Sequence, residues 1–199
     1  MKVRSKRLTA MLVLAAVAVP GGAVTWAAYT ATTDNGGDQI EAGSVQIDDD
    51  DAGGAMLSLV SAQPGATDTG CIKVTFNGSL DSTVRLYGST GGTGLDPYLD
   101  LKVKRGVNTP SDPGFDSCAN FQADGTDYIG AGAGVVYEGS VQGYPDNYAA
   151  GQVDPTAGSP ETWTNGESHV YKIEVTQRFN TAGNGLNATQ AFTWEARNQ

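Results

Sequence analysis

Histidine is almost missing from this chain. His169 is the only one in 199 residues, and no HExxH stretch occurs, so a zinc site of the helical two-histidine type cannot be assembled. GxSxG turns, phosphate-binding glycine loops and dinucleotide fingerprints are absent as well. Ser168 adjoins His169, but neighbours in a strand point to opposite faces and do not form a nucleophile–base pair. The residues therefore offer no catalytic constellation, and no enzyme is expected. Basic side chains are scarce too: 12 Lys and Arg stand against 22 Asp and Glu, for a formal net charge of −10. Phosphate binding needs clustered cations, and those present are scattered, which argues against nucleic acid as a partner. Long apolar runs are also lacking. The stretch from Met11 to Val19, even extended to Trp26, falls short of the roughly 20 residues that a spanning helix requires, so no stable membrane span is expected.

What the N-terminus does contain is the order of an export signal. Lys2, Arg4, Lys6 and Arg7 precede the apolar stretch, and Pro20, Gly21 and Gly22 end it. Composition alone favours cleavage after Ala27, because a cut after Ala28 places bulky Trp26 three positions before it. Removing residues 1–28 takes away four of the twelve basic residues and leaves a strongly acidic mature chain. High charge keeps a secreted protein soluble. One domain is the prior at this length. In an oxidising compartment Cys71 and Cys118, the only cysteines, are expected to pair. A metal pair is the alternative, though no histidine or further cysteine lies nearby.

Beyond residue 40, apolar and polar residues alternate repeatedly, as on a strand with one buried face. In CIKVTFNG, Ile72, Val74 and Phe76 share a face; in YLDLKVKRG, Leu99, Leu101 and Val103 do; in HVYKIEVTQRF, Tyr171, Ile173 and Val175 are in phase. His169 shares that last phase, which puts it at the margin of the core. Further strands are expected over 44–47, 55–60, 83–87 and the closing ATQAFTWEAR, with Gly- and Pro-rich turns between and no convincing amphipathic helix. An all-β, jelly-roll-like antiparallel sandwich follows. Residues 125–160 break the alternation and form a Gly-rich insertion, with a short helix expected around 144–150. Its Tyr137, Tyr144 and Tyr148 are of a kind that stacks on sugars, but tyrosines also cover ordinary loops.

The densest charge cluster is the DDDD run, 48–51. Adjacent carboxylates repel, and Ca²⁺ relieves that repulsion. Asp48 and Asp50 are thus weak candidate ligands and Ca²⁺ the one candidate cofactor. A solvated turn between strands is the preferred reading, because the spacing fits no defined calcium loop and a complete shell needs ligands from elsewhere.

Several stretches carry a resemblance: GGAVTWAAY, DNGGDQIEAGSVQI, PGATDTGCIKVTFNG, VRLYG and FTWEA. Together they resemble the TasA and camelysin family of secreted biofilm-matrix proteins of Gram-positive bacteria. The resemblance implies processing by a SipW-type signal peptidase between Ala28 and Tyr29. It also implies a jelly-roll subunit that polymerises head to tail into extracellular fibres, each copy lending its N-terminal segment to the sheet of the next. Some members carry a metallopeptidase label, for which this chain has no supporting residues. The two cysteines, the FTWEA ending and the Gly-rich insertion depart from the best-known fibre former.

The residues after the expected cut suit that role. Tyr29, Thr30, Ala31, Thr32 and Thr33 favour an extended chain, and Asp34, Asn35, Gly36 and Gly37 provide a hinge. Such an arm can pair with another molecule's sheet edge. The expected organisation is a signal over 1–28, a donor-strand arm over 29–39 and a sandwich over 40–199. The competing reading is a secreted monomeric binding module, for a glycan or another cell-surface ligand, built on the same fold.

Overall fold

The computed structural model describes residues 43–59, 63–156 and 159–198. Ala28, Tyr29 and the rest of the expected arm lie outside them. The described strands are β1 (Ile47–Asp49), β2 (Thr67–Phe76), β3 (Ser82–Gly92), β4 (Leu99–Asn108), β5 (Phe121–Ala123), β6 (Val135–Ser140), β7 (Gln152–Val153), β8 (Pro155–Thr156), β9 (Ser159–Pro160), β10 (Ser168–Gln177) and β11 (Ala188–Asn198). Helical structure among the described residues is confined to three short 3₁₀ turns, and none is long and apolar enough to cross a membrane.

Every pairing is antiparallel. One sheet runs β1-β2-β10-β4-β5, with β6 also on β4, and the second runs β11-β3-β7; β8 and β9 form a separate hairpin. The two sheets pack as a sandwich, the class that the alternation implies. Ile72, Val74 and Phe76 of β2, Leu101 and Val103 of β4, and Tyr171 and Ile173 of β10 are buried against Val84 and Leu86 of β3. Full burial of each such aliphatic or aromatic side chain stabilises the fold by about 1.5–3 kcal/mol. Gly88 lies where β3 and β11 approach closely: a Cβ there would run into the Ala191 carbonyl.

Several elements differ from the sequence expectation. The strand expected over 44–47 begins only at Ile47, because Ser44 closes a turn with Ser79, donating its N–H to the hydroxyl and accepting the Ser79 N–H at its carbonyl. Residues 55–59 are not a strand. The edge of β2 that they follow is taken up by other groups: Asp50 accepts the Lys73 N–H, the Cys71 carbonyl accepts from Asp116, and the Asp68 carboxylate accepts the Ser58 N–H. No helix forms at 144–150. A 3₁₀ turn at Val141–Gly143 precedes an irregular loop, which Arg85 holds by donating to the Ala149 carbonyl at 3.0 Å. The Gly-rich insertion contains β6, whose pairing with β4 is interrupted by an irregularity between Val103 and Lys104. A strand with a broken register leaves no clean alternation to read.

Candidate functional site

The acidic run lies at the margin of the first sheet. Asp48 accepts from the side-chain amides of Gln46 and Asn77, both at 2.9 Å, and the Asn77 bond is the main reason its pKa falls below the ordinary carboxylate value. Asp51 accepts the Gly53 N–H at 2.6 Å, and Asp49 accepts the Asp51 N–H at 3.2 Å. Burial is the main push on Asp49, whose pKa is raised, with Asp51 and Asp50 adding repulsion. Each carboxylate thus serves a local donor. Among the described residues the four do not bring three ligand oxygens within mutual reach of one ion.

Cys71 and Cys118 form a disulfide, with Cα atoms 5.2 Å apart across 47 positions of sequence. It fixes the loop after β4 to the centre of β2. The insertion's tyrosines pack rather than project. Tyr144 is buried, with its ring edge-on to Tyr137 at 4.9 Å and to Phe192 at 5.6 Å, while the Arg197 guanidinium covers Tyr148 at 3.7 Å. Burial pushes the Tyr144 hydroxyl well above its usual range.

A broad opening lies beside β11. This strand ends its sheet, and among the described residues no strand pairs with its outer side. Which backbone groups face that side follows from β3. Ser82 exchanges both backbone bonds with Trp163, Val84 accepts from Asp154, and Gly88 donates to Pro145, so these residues turn away from β11. The intervening Thr83, Arg85 and Tyr87 therefore bond to their partners Arg197, Glu195 and Thr193. Alternation then directs the N–H and C=O groups of Gln190, Phe192, Trp194 and Ala196 outward. The same edge borders a groove of about 720 Å³, where Leu57, Leu99, Val175, Leu186, Phe192 and Trp194 supply apolar walls and Asp49 and Asp51 lie in the lining. The Trp194 indole N–H is buried and has no acceptor. Apolar walls, unpaired backbone and one orphaned donor together suit an extended chain laid along β11.

A second cluster closes another part of the sandwich. Arg105 continues the inward phase of Leu99, Leu101 and Val103, and it is only 5% exposed. Its Nη1 donates to Asp124 at 2.8 Å and to the Tyr128 hydroxyl at 3.1 Å, Nη2 donates to Glu161, and Nε lies 3.0 Å from Asp154. Asp154 is fully buried, and its two oxygens accept from the Tyr171 hydroxyl and the Trp163 indole, both at 2.6 Å. Burial pulls the Arg105 pKa down, but Asp154 and the other surrounding anions reverse this and leave it raised. Burial likewise raises Asp154, against the pull of Arg105. Asp154, Glu161 and His169 offer ligand atoms within 4.8 Å of one another, the only such trio among the described residues. The Arg105 guanidinium contacts all three and already supplies the positive charge that a metal ion would bring. The sequence reading placed only His169, at the margin of the core, and missed Arg105, whose signal is that it keeps the inward phase of Leu99, Leu101 and Val103. Asp154 comes from the irregular insertion and Glu161 from just past its end, and neither carried a signal.

Compared with known proteins, the chain matches no family model and no curated sequence.

Proposed function

We propose that this protein is a secreted, non-enzymatic structural subunit of cell-surface or matrix fibres, of the TasA and camelysin type. In this reading a SipW-type peptidase cuts between Ala28 and Tyr29, and the freed arm, 29–39, lies along β11 of the next copy. The observation that supports it is the outward-facing backbone of β11 beside an apolar groove. The arm has the matching chemistry: Tyr29, Ala31 and Thr33 fall on one face of an extended strand and can enter the groove, while their backbone pairs with Gln190 to Ala196. A jelly-roll connectivity belongs to the same proposal. The binding-module reading draws less support from the insertion, because Tyr144 is buried and Tyr148 is covered.

The test uses protein beginning at Tyr29, protein lacking 29–39, and protein with Gln190→Pro. Proline at an outward-facing edge position leaves the β3 ladder in place and removes a donor that the incoming strand needs. Size-exclusion chromatography and negative-stain microscopy should give fibres only for the unaltered mature chain. Fibres from all three forms, or stable monomers from all three at high concentration, would refute strand donation by this arm. The monomer outcome would favour the binding module.

A further inference from the structure

The Arg105 cluster contains more acid than its one guanidinium balances. Asp124 follows β5, Asp154 lies between β7 and β8, and Glu161 follows β9; Glu167 precedes β10, and His169 and Tyr171 lie within it. Tyr128 donates to Asp124, Tyr171 and Trp163 donate to Asp154, and among the described residues Arg105 is the only cation that contacts the cluster. Full ionisation would therefore leave four carboxylates around one positive charge in a largely buried site.

His169 shows where the conflict falls. Its Nε2 lies 2.6 Å from Arg105 Nη2, which is always a donor, and 3.2 Å from Glu167 Oε1. A neutral ring can satisfy only one of them. With the proton on Nδ1, Nε2 accepts from Arg105 but presents a lone pair to Glu167, and the Nδ1–H is buried without an acceptor. With the proton on Nε2, the ring serves Glu167 and turns an N–H toward the guanidinium. A proton on Glu161, whose Oε2 lies 4.0 Å from Nε2, lessens the conflict of the first arrangement, because a protonated carboxyl no longer repels the ring lone pair.

We propose that Glu161 is a pH-dependent latch: one proton on its carboxyl above Arg105 holds residues 159–162 against β4 and β10, and its loss loosens them. Both flanks of Glu161 are fixed: the Asp154 N–H bonds to the Val84 carbonyl, and Trp163, fully buried, exchanges backbone bonds with Ser82 and sets its ring edge-on to His169 at 4.7 Å. Glu161 itself reaches the other sheet through Arg105.

Titration supports the geometry. Burial, with repulsion from Asp154 and Glu167, pushes Glu161 up to about 7 against the attraction of Arg105. Burial and Arg105 lower His169, so its ring is neutral at that pH. A carboxyl raised on folding binds its proton more tightly in the folded state, so that contribution is present below the ordinary glutamate range and is lost as pH rises through about 7. His169 acts in the opposite sense, since its lowered value weakens the fold as pH falls below the ordinary histidine range near 6.5. Between pH 6.5 and 8.5 the glutamate contribution is therefore the one that changes.

Amide hydrogen exchange of the mature protein at pH 6.5 and 8.5, corrected for intrinsic exchange rates, tests the latch. The Glu161 amide, bonded to the Asp154 carbonyl, should lose at least threefold in protection at pH 8.5 relative to amides of the central strand β10. Glu161→Gln should remove that difference. Equal relative protection at both pH values in the unaltered protein, or a difference that persists in Glu161→Gln, would overturn the proposal. Should the variant fail to fold, carbon-detected titration of the unaltered protein decides: a glutamate carboxyl titrating near 7 agrees, and all glutamate carboxyls titrating near their ordinary value refute it.

Discussion

Replacing Arg105 with methionine should be among the most damaging single changes in this protein. Methionine retains much of the side-chain length and its apolar stem, so the loss is mainly one of charge. Asp154, which has no exposed surface, then keeps the Tyr171 and Trp163 hydrogen bonds but loses its counter-ion, and Glu161 and Asp124 lose their shared donor. Removing one partner of a buried pair typically costs about 3–5 kcal/mol, because the remaining charge stays desolvated and uncompensated. For a protein of this size, with roughly 2–4 °C per kcal/mol, the expected fall in Tm is about 6–20 °C.

The pH dependence separates this cause from lost packing. Without the guanidinium, the Asp154 and Glu161 carboxyls rise further, so the folded variant takes up protons that the unfolded chain at pH 6 does not bind. Its stability then falls as pH rises, and the deficit against unaltered protein should be smaller at pH 5.5 than at pH 8. Urea unfolding at both pH values measures it. A deficit below about 1 kcal/mol, the range of exposed pairs, would refute the assignment of Arg105 as a buried charge centre. An equal, large deficit at both pH values would attribute the loss to packing instead.

Two other expectations follow from the same geometry. Reducing the disulfide should lower stability by about 4 kcal/mol if the chain-entropy account holds, read as a shift in the urea midpoint, while alkylation without reduction should label no thiol. Asp48 and Asp50 already serve protein donors, so millimolar Ca²⁺ should leave Tm unchanged; a rise that Asp48→Asn with Asp50→Asn abolishes would establish a calcium site instead.

The sandwich was legible where strands are long and bury one face. β2, β4, β10 and β11 each extend ten residues or more, enough for alternation to stand out. Strands of two or three residues, such as β5 and β7, are too short to carry a period and are set by what they dock against. Of the ionic cluster, only His169 was read from the sequence. Arg105 and His169 keep the inward phase, but alternation gives the direction of a side chain and not what waits there. Asp154 and Glu161 reach the cluster only because the insertion folds back over the sandwich between β3 and β10. The open edge was illegible from pattern alone: alternation in β11 marks Phe192 and Trp194 as inward, yet whether their backbone groups meet a neighbour depends on strand order, which local sequence does not encode.

The two parts of the sandwich solve the same problem with different chemistry. At the insertion, an irregular segment joins the sheets through Arg105, and such a closure gains little net energy because desolvation of the ions offsets their attraction. It is specific in geometry and sensitive to protonation. At β11 the groove walls are half-buried hydrocarbon, and Trp194 holds an indole N–H without an acceptor. An extended chain there adds backbone bonds worth about 0.5–1.5 kcal/mol each and also covers apolar surface, terms that act in the same direction. A strand docked at this edge is therefore held mainly by contributions that do not titrate. The consequence can be separated experimentally: moving from pH 6.5 to 8.5 should change exchange at Glu161 while leaving the critical concentration of the proposed fibres nearly constant, whereas Gln190→Pro should abolish fibres and leave the Glu161 pH response intact. If raising the pH dissolves fibres in parallel with the loss of protection at Glu161, the two parts are coupled, and the acceptor edge is governed by the ionic cluster rather than by its own groove.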